Sequence, residues 1–87
     1  VGAVSAPVAE AMARGVRETL QADVAVSVTG LAGPGGDEFG NPVGTVFIGY
    51  CDSNTTFSRH FRFVGDRKAV RQAAIEAALN IVLEQNP

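Results

Sequence analysis

Cysteine and histidine occur once each, as Cys51 and His60, and tryptophan not at all. A single thiol excludes an internal disulfide framework, and one thiol with one imidazole cannot make a zinc-ligand cluster. Basic residues are scarce as well: seven against nine acidic ones, a formal charge of -2. That balance lacks the basic patch or stripe of a general nucleic-acid binder, so no direct nucleic-acid binding is expected. No apolar run approaches the length of a membrane span, and Val1-Gly-Ala-Val4 has neither the charged nor the long apolar region of a signal peptide. The expectation is a cytoplasmic protein with no membrane partner. Lysine appears only as Lys68, and no serine, cysteine or lysine stands out as an activated nucleophile. Neither a metal nor another cofactor is expected. There is no internal repeat and no low-complexity tract. At 87 residues the chain is one domain at most, with a small core and marginal stability without a partner. It opens with no start-like methionine and passes almost at once into a helix, which reads as a piece of something longer.

Glycine, by contrast, is abundant and clustered. Six of the ten glycines fall between Gly30 and Gly44. A strand-like run stops just before this stretch and another starts just after it. A connection this long inside a compact domain is uncommon and is usually functional or disordered. Glycines let a backbone turn with positive φ and let its N–H groups approach a ligand closely, and successive N–H groups in such a turn form an anion-binding nest. The stretch is not a Walker loop, since no Gly-Lys-Ser/Thr follows. Nor is it a dinucleotide fingerprint, since the spacing differs and no helix follows directly. A plain connection rich in turn glycines is the alternative.

The remaining chain reads as a frame for that stretch. Ser5 is a good N-cap, with Pro7 in the first turn where a missing N–H is harmless. Val8, Met12, Val16 and Leu20 then recur every four residues, with Ala9 and Ala13 beside them, which predicts an amphipathic helix over 6–21 with the Met12 and valine stripe in the core. Val24, Val26 and Val28 alternate with Ala25, Ser27 and Thr29, a strand with one bulky and one small face. The small face leaves room for a helix or a ligand. Residues 45–51 are nearly all apolar or β-branched, as in a strand covered on both sides. Asp52-Ser53-Asn54 is turn chemistry. Residues 55–63 form a third strand, antiparallel to the second as a hairpin, with Phe57, Arg59, Phe61 and Phe63 facing one way and Thr56, Ser58, His60 and Arg62 the other, wet, way. Asp66 then caps a helix running to about residue 84, with a broad stripe from Val70 to Val82 widened by Ile75, Leu79 and Leu83. The order is α-β-long Gly loop-β-β-α, an α/β chain.

Two places are candidates for chemistry. The glycine stretch is the first. The second is Gly65-Asp66-Arg67, where a helix N-terminus offers free N–H groups to an anion. Arg67 at that end opposes the helix dipole unless it has an anion to meet; a surface pair with Asp66, Asp37 or Glu38 is the alternative. Arg62 and Arg71 are weaker candidates of the same kind. His60 reads as solvated, Cys51 as a small buried hydrophobe, and Asp37 with Glu38 as too weak a pair for a metal.

The chain resembles the C-terminal domain of the CinA family, the competence/damage-inducible proteins. The resembling residues are Gly2-Ala-Val-Ser5, Ala22-Asp23, Thr29-Gly-Leu-Ala-Gly-Pro-Gly-Gly36, Asn41-Pro-Val-Gly-Thr-Val46, and Phe63-Val-Gly-Asp-Arg67 with Arg71 behind it. They lie in the family's order over essentially the whole chain. The resemblance implies an α/β/α sandwich, frequent dimerisation and hence a homo-oligomer. It also implies an amidohydrolase activity: hydrolysis of the carboxamide of nicotinamide mononucleotide to nicotinic acid mononucleotide and ammonia, part of the pyridine nucleotide cycle. Carried over by residue, it makes Thr29 and Arg67 catalytic, and Gly30, Gly33, Gly35 and Gly36 substrate-binding. The family's domain is longer. Its first half carries a Glu-Ser-x-Thr-Gly-Gly motif with a serine nucleophile and a Tyr-Ser-Asn segment followed by a lysine, and neither is in this chain. Residues 1–87 thus resemble the second half of the amidase domain, expected to be inactive alone. A non-catalytic nucleotide-binding or interaction module of competence or DNA-damage pathways is the alternative.

Overall fold

The computed structural model describes residues 5–30 and 44–86, and of Arg67 the backbone alone. The described elements are α1 (Ala6–Leu20), β1 (Val24–Gly30), β2 (Thr45–Asp52), β3 (Thr56–Arg62) and α2 (Arg67–Gln85). Each helix starts just after a capping side chain. Ser5 Oγ accepts from the Val8 N–H at 3.4 Å, and Asp66 Oδ1 accepts from the Ala69 N–H at 2.9 Å. Such caps satisfy otherwise orphaned first-turn donors and contribute about 1 kcal/mol each. At its other end α1 closes on Gln21, which takes a left-handed φ of 51° and donates to Glu18 O.

The three strands form one antiparallel sheet in the order β1-β2-β3. Val26 lies opposite Tyr50, which lies opposite Phe57; Ser27, Gly49 and Ser58 form the next rung. Since successive side chains alternate, these rungs assign the two faces. One carries Val26, Ile48, Tyr50, Phe57 and Phe61. The other carries Ala25, Ser27, Gly49, Cys51 and Ser58.

The bulky face packs on α2. Val46, Ile48 and Tyr50 bury against Val70, Ala74, Ala78 and Ile81, with Val24, Val26 and the three phenylalanines of residues 57–63 around them. Fully burying a side chain such as Ile48 or Ile81 stabilises the fold by roughly 1.5–3 kcal/mol. The small face packs on α1, which completes an α/β/α sandwich. Here the sequence-based expectation is corrected. The Met12, Val16 and Leu20 stripe does not enter the core: these residues are 44%, 41% and 70% exposed, while Ala9 and Ala13 are fully buried. The reason is the sheet surface beneath. Ser27 Oγ donates to the Ala9 carbonyl, and a Cβ on Gly49 would lie 2.5 Å from that carbonyl carbon. Helix backbone lies directly on strand backbone, and only alanine-sized residues fit between.

Candidate functional site

Short connections decide which ends of the elements meet. Three residues (21–23) join α1 to β1, so α1 runs back along β1 and its N-terminus lies at the Gly30 end of the sheet. Four residues (63–66) join β3 to α2, so α2 starts at the same end, where Arg62 is opposite Thr45. The first turns of both helices therefore point at the end of the sheet where β1 finishes and β2 begins. Neither first turn carries an acidic residue. The partial positive charge of a helix N-terminus favours an anion by about 0.3–1 kcal/mol at an exposed site, and Asp66 offsets part of it on α2.

Thr29 is half-buried, one residue before the end of β1 and on the α1 face of the sheet. Gly30 ends β1 and is exposed. A Cβ there would stand 2.7 Å from the Thr45 carbonyl oxygen and 2.8 Å from a Val46 methyl carbon, so the close approach of β1 to β2 requires glycine. Gly44, at φ +85°, lets β2 begin hard against Phe63, whose N–H donates to the Gly44 carbonyl at 3.0 Å. Arg67 is the first residue of α2. Thr29 and the start of α2 thus reach one end of the sheet but on opposite faces, and a ligand touching both must pass round that end. Gly33, Gly35, Gly36, Asp37 and Glu38 lie outside the described residues.

His60 is exposed, as expected for the wet face of an edge strand, and stacks on Phe47 with centroids 4.7 Å apart and planes at 15°. The stack sits on the same face as Thr29, because Thr29, Phe47 and His60 form one rung. Cys51 is a buried free thiol whose sulfur accepts from Thr56 Oγ1 at 3.3 Å. Among the described residues no group of three or more His, Cys, Asp or Glu is placed to hold a metal, and no helix is long and apolar enough to cross a membrane.

One residue that sequence reasoning missed belongs to this end of the sheet. Thr45 is completely buried, yet its Oγ1 has no hydrogen-bond partner among the described residues. Its place between Gly44 and a run of apolar residues is a weak hint, because threonine is an ordinary strand residue.

The far end of the sheet holds a structural polar cluster. Tyr50 donates to Asp52 Oδ2 at 2.6 Å, and Asp52 Oδ1 accepts from the Asn54 and Thr55 N–H groups at 2.8 Å each. The Tyr50 hydroxyl and then the Asn54 N–H hold the Asp52 carboxyl below the usual carboxylate range. Burial, and next the bond to Asp52, push the Tyr50 hydroxyl up. This cluster ties the β2–β3 turn, and Asn86 Nδ2 joins α2 to it through Tyr50 Oη at 3.3 Å.

The CinA C-terminal domain, as a sequence family, matches residues 1–86. The chain belongs to that family. The CinA C-terminal domain described here is 46% identical over 84 residues to a nicotinamide-nucleotide amidohydrolase PncC of Pseudomonas putida, across 97% of this chain and 52% of that protein. It is 48% identical over 81 residues to a putative competence-damage inducible protein of Caldicellulosiruptor saccharolyticus, across 93% of this chain and 20% of that one. A crystal structure of a competence-damaged protein (CinA) superfamily protein from Escherichia coli superposes with a TM-score of 0.91 at 37% identity, over 95% of this chain and 48% of that chain. The chain thus spans about half the length of the amidohydrolase and about a fifth of the longer relative.

Proposed function

We propose that residues 1–87 are the C-terminal half of a CinA-type amidase domain and form one wall of a site that hydrolyses the carboxamide of nicotinamide mononucleotide. The observation that carries this reading is the convergence of both helix N-termini on the end of the sheet that bears Thr29, Gly30 and the start of α2. These are the positions the family resemblance marks for catalysis and binding. The 46% identity to a named nicotinamide-nucleotide amidohydrolase supports the substrate class.

Amide hydrolysis proceeds through a tetrahedral intermediate whose oxygen carries negative charge. Backbone N–H donors aimed at that oxygen lower the barrier by roughly 3 kcal/mol each. In this reading Gly30, Gly33, Gly35 and Gly36 bring such donors to the nucleotide. Thr29 hydrogen-bonds the substrate or orients the nucleophile. Arg67, at the positive end of α2, meets a substrate oxygen or phosphate. The nucleophilic serine and the lysine that activates it come from the preceding half of the domain, so the 87-residue chain alone releases no ammonia.

The working protein is an assembly. Both helices present apolar residues outward: Met12, Val16 and Leu20 on α1, and Ile75, Leu79 and Leu83 on α2, the last three 55–58% exposed. A second copy of the protein is the proposed occupant of the α2 stripe.

Ammonia release from nicotinamide mononucleotide by the full-length protein tests the reading, with Arg67→Ala in that protein as the site variant. Activity in the full-length protein and a fall in kcat/KM of tenfold or more in the variant are the expected results. A full-length protein that binds the nucleotide without releasing ammonia would instead favour the non-catalytic module.

A further inference from the structure

Thr45 is the first residue of β2, and its side chain is on the α1 face, since Val46 faces α2 and neighbours alternate. Its place relative to α1 follows from spacing. Ala9 sits on Ser27 and Gly49. Four residues back, about 6 Å along the helix, is the cap Ser5. Two residues along the strands, about 6.6–6.8 Å, is the rung of Thr29 and Phe47. Thr45 comes one further step along that face, ahead of the first turn of α1 and diagonal to Thr29, at about 7–8 Å for such a pair.

Its hydroxyl is fully buried and has no partner among the described residues. A buried hydroxyl without a partner destabilises a fold. The backbone is tightly packed on either side of it: Gly30 has no room for a Cβ against the Thr45 carbonyl, and Gly44 has none against Phe63. The hydroxyl thus lies, without a partner among the described residues, ahead of a helix N-terminus that attracts anions.

We propose that Thr45 is a binding residue of the sheet-end site, whose hydroxyl donates a hydrogen bond to the phosphate of the bound nucleotide. That the ligand is a mononucleotide, and so that its anionic group is a phosphate, rests on the function proposed above; that this face of the site takes an anionic group rests on the α1 N-terminus and the unpaired donor. Binding puts phosphate oxygen in place of the atoms that now seal the hydroxyl. The same bond is absent without ligand, so the residue weakens the free protein and strengthens the complex.

Thr45→Val, nearly the same shape without the hydroxyl, and Thr45→Ser, which keeps it, separate this from a packing role. In the full-length protein, thermal unfolding is followed with and without inorganic phosphate, and KM and kcat for nicotinamide mononucleotide are measured alongside. Thr45→Val is expected to raise the unfolding midpoint of the free protein and to lose most of the phosphate-induced shift. It should raise KM about 10- to 100-fold, the range for one hydrogen bond to a charged group, with kcat little changed because the phosphate is remote from the carboxamide. Thr45→Ser should restore the phosphate shift and KM. An unaltered phosphate shift in Thr45→Val, or no phosphate shift in the parent protein, overturns the proposal. A parent that responds to phosphate through Thr45 but does not hydrolyse the nucleotide leaves the binding role standing and removes the amidase reading.

Discussion

Gly49→Ala is the most searching perturbation of this fold, because it adds one methyl group where helix and sheet touch through backbone alone. The added Cβ would run into the Ala9 carbonyl, 2.5 Å from its carbon and 2.7 Å from Ser27 Oγ, where ordinary contact begins at 3.4 Å. Neither obstacle is the flexible tip of a side chain. The carbonyl belongs to the middle of α1, and the Ser27 hydroxyl is fixed by its bond to that carbonyl. The carbonyl oxygen is nearer still, so the helix must lift by more than about 1 Å or tilt. Overpacking of this kind costs about 1–3 kcal/mol. Breaking the Ser27 bond leaves a buried hydroxyl unpaired, at about 1–3 kcal/mol more. A total of about 2–6 kcal/mol is a large part of the roughly 5–15 kcal/mol that holds a typical domain folded. Urea denaturation followed by far-UV circular dichroism measures it, with Gly15→Ala as the control. Gly15 lies in the same helix with nothing within 4 Å of its would-be Cβ, so that change should stabilise by about 0.4–1 kcal/mol. Ser27→Ala combined with Gly49→Ala should be less damaging than the sum of the two, since both act on the Ala9 carbonyl. A Gly49→Ala protein within 0.5 kcal/mol of the parent would refute the direct seating of α1 on β2.

Other consequences follow from the core and the far-end cluster. Ile81→Ala, at a position 1% exposed in the core, should lower stability by about 2–5 kcal/mol, whereas Leu79→Ser together with Leu83→Ser on the outer stripe should leave the fold intact and reduce the assembly size seen by light scattering. Unchanged size would remove α2 as the contact between copies. Asp52 has a folded pKa below its unfolded value, so its stabilisation is present above the ordinary carboxylate range and is lost as pH falls through the folded value. Unfolding midpoints taken from pH 7 downward should show this loss, and Asp52→Asn should flatten it; an equally steep acid limb in the variant would place the acid sensitivity elsewhere.

Much of the architecture is legible without coordinates. Ser5 and Asp66 are capping residues at the right distance ahead of apolar periodicity, and both start helices. The alternation of Val24, Val26 and Val28 with Ala25, Ser27 and Thr29 separates the two faces of β1, because strand geometry leaves no other arrangement. The ordered motifs from Gly2 to Arg67 identify the family on residues alone. The site was legible only in part: the motifs mark Thr29, Gly30 and Arg67, but not that Thr29 and the start of α2 lie on opposite faces of one sheet end.

What the sequence by itself determined is therefore local: where elements begin, which strand residues share a face, and which family the chain belongs to. These depend on neighbours along the chain, through caps, periodicity and turn residues. Only the tertiary structure decided which side of α1 is buried. Periodicity marks the bulky stripe of Met12, Val16 and Leu20 as an apolar face, but the depth of contact is set by the opposing surface, where Gly49 and Ser27 admit only Ala9 and Ala13. The same holds for Thr45, an ordinary strand threonine in sequence. Its burial and its lack of a partner among the described residues are visible only in three dimensions, beside the close approaches at Gly30 and Gly44 of residues distant in the chain.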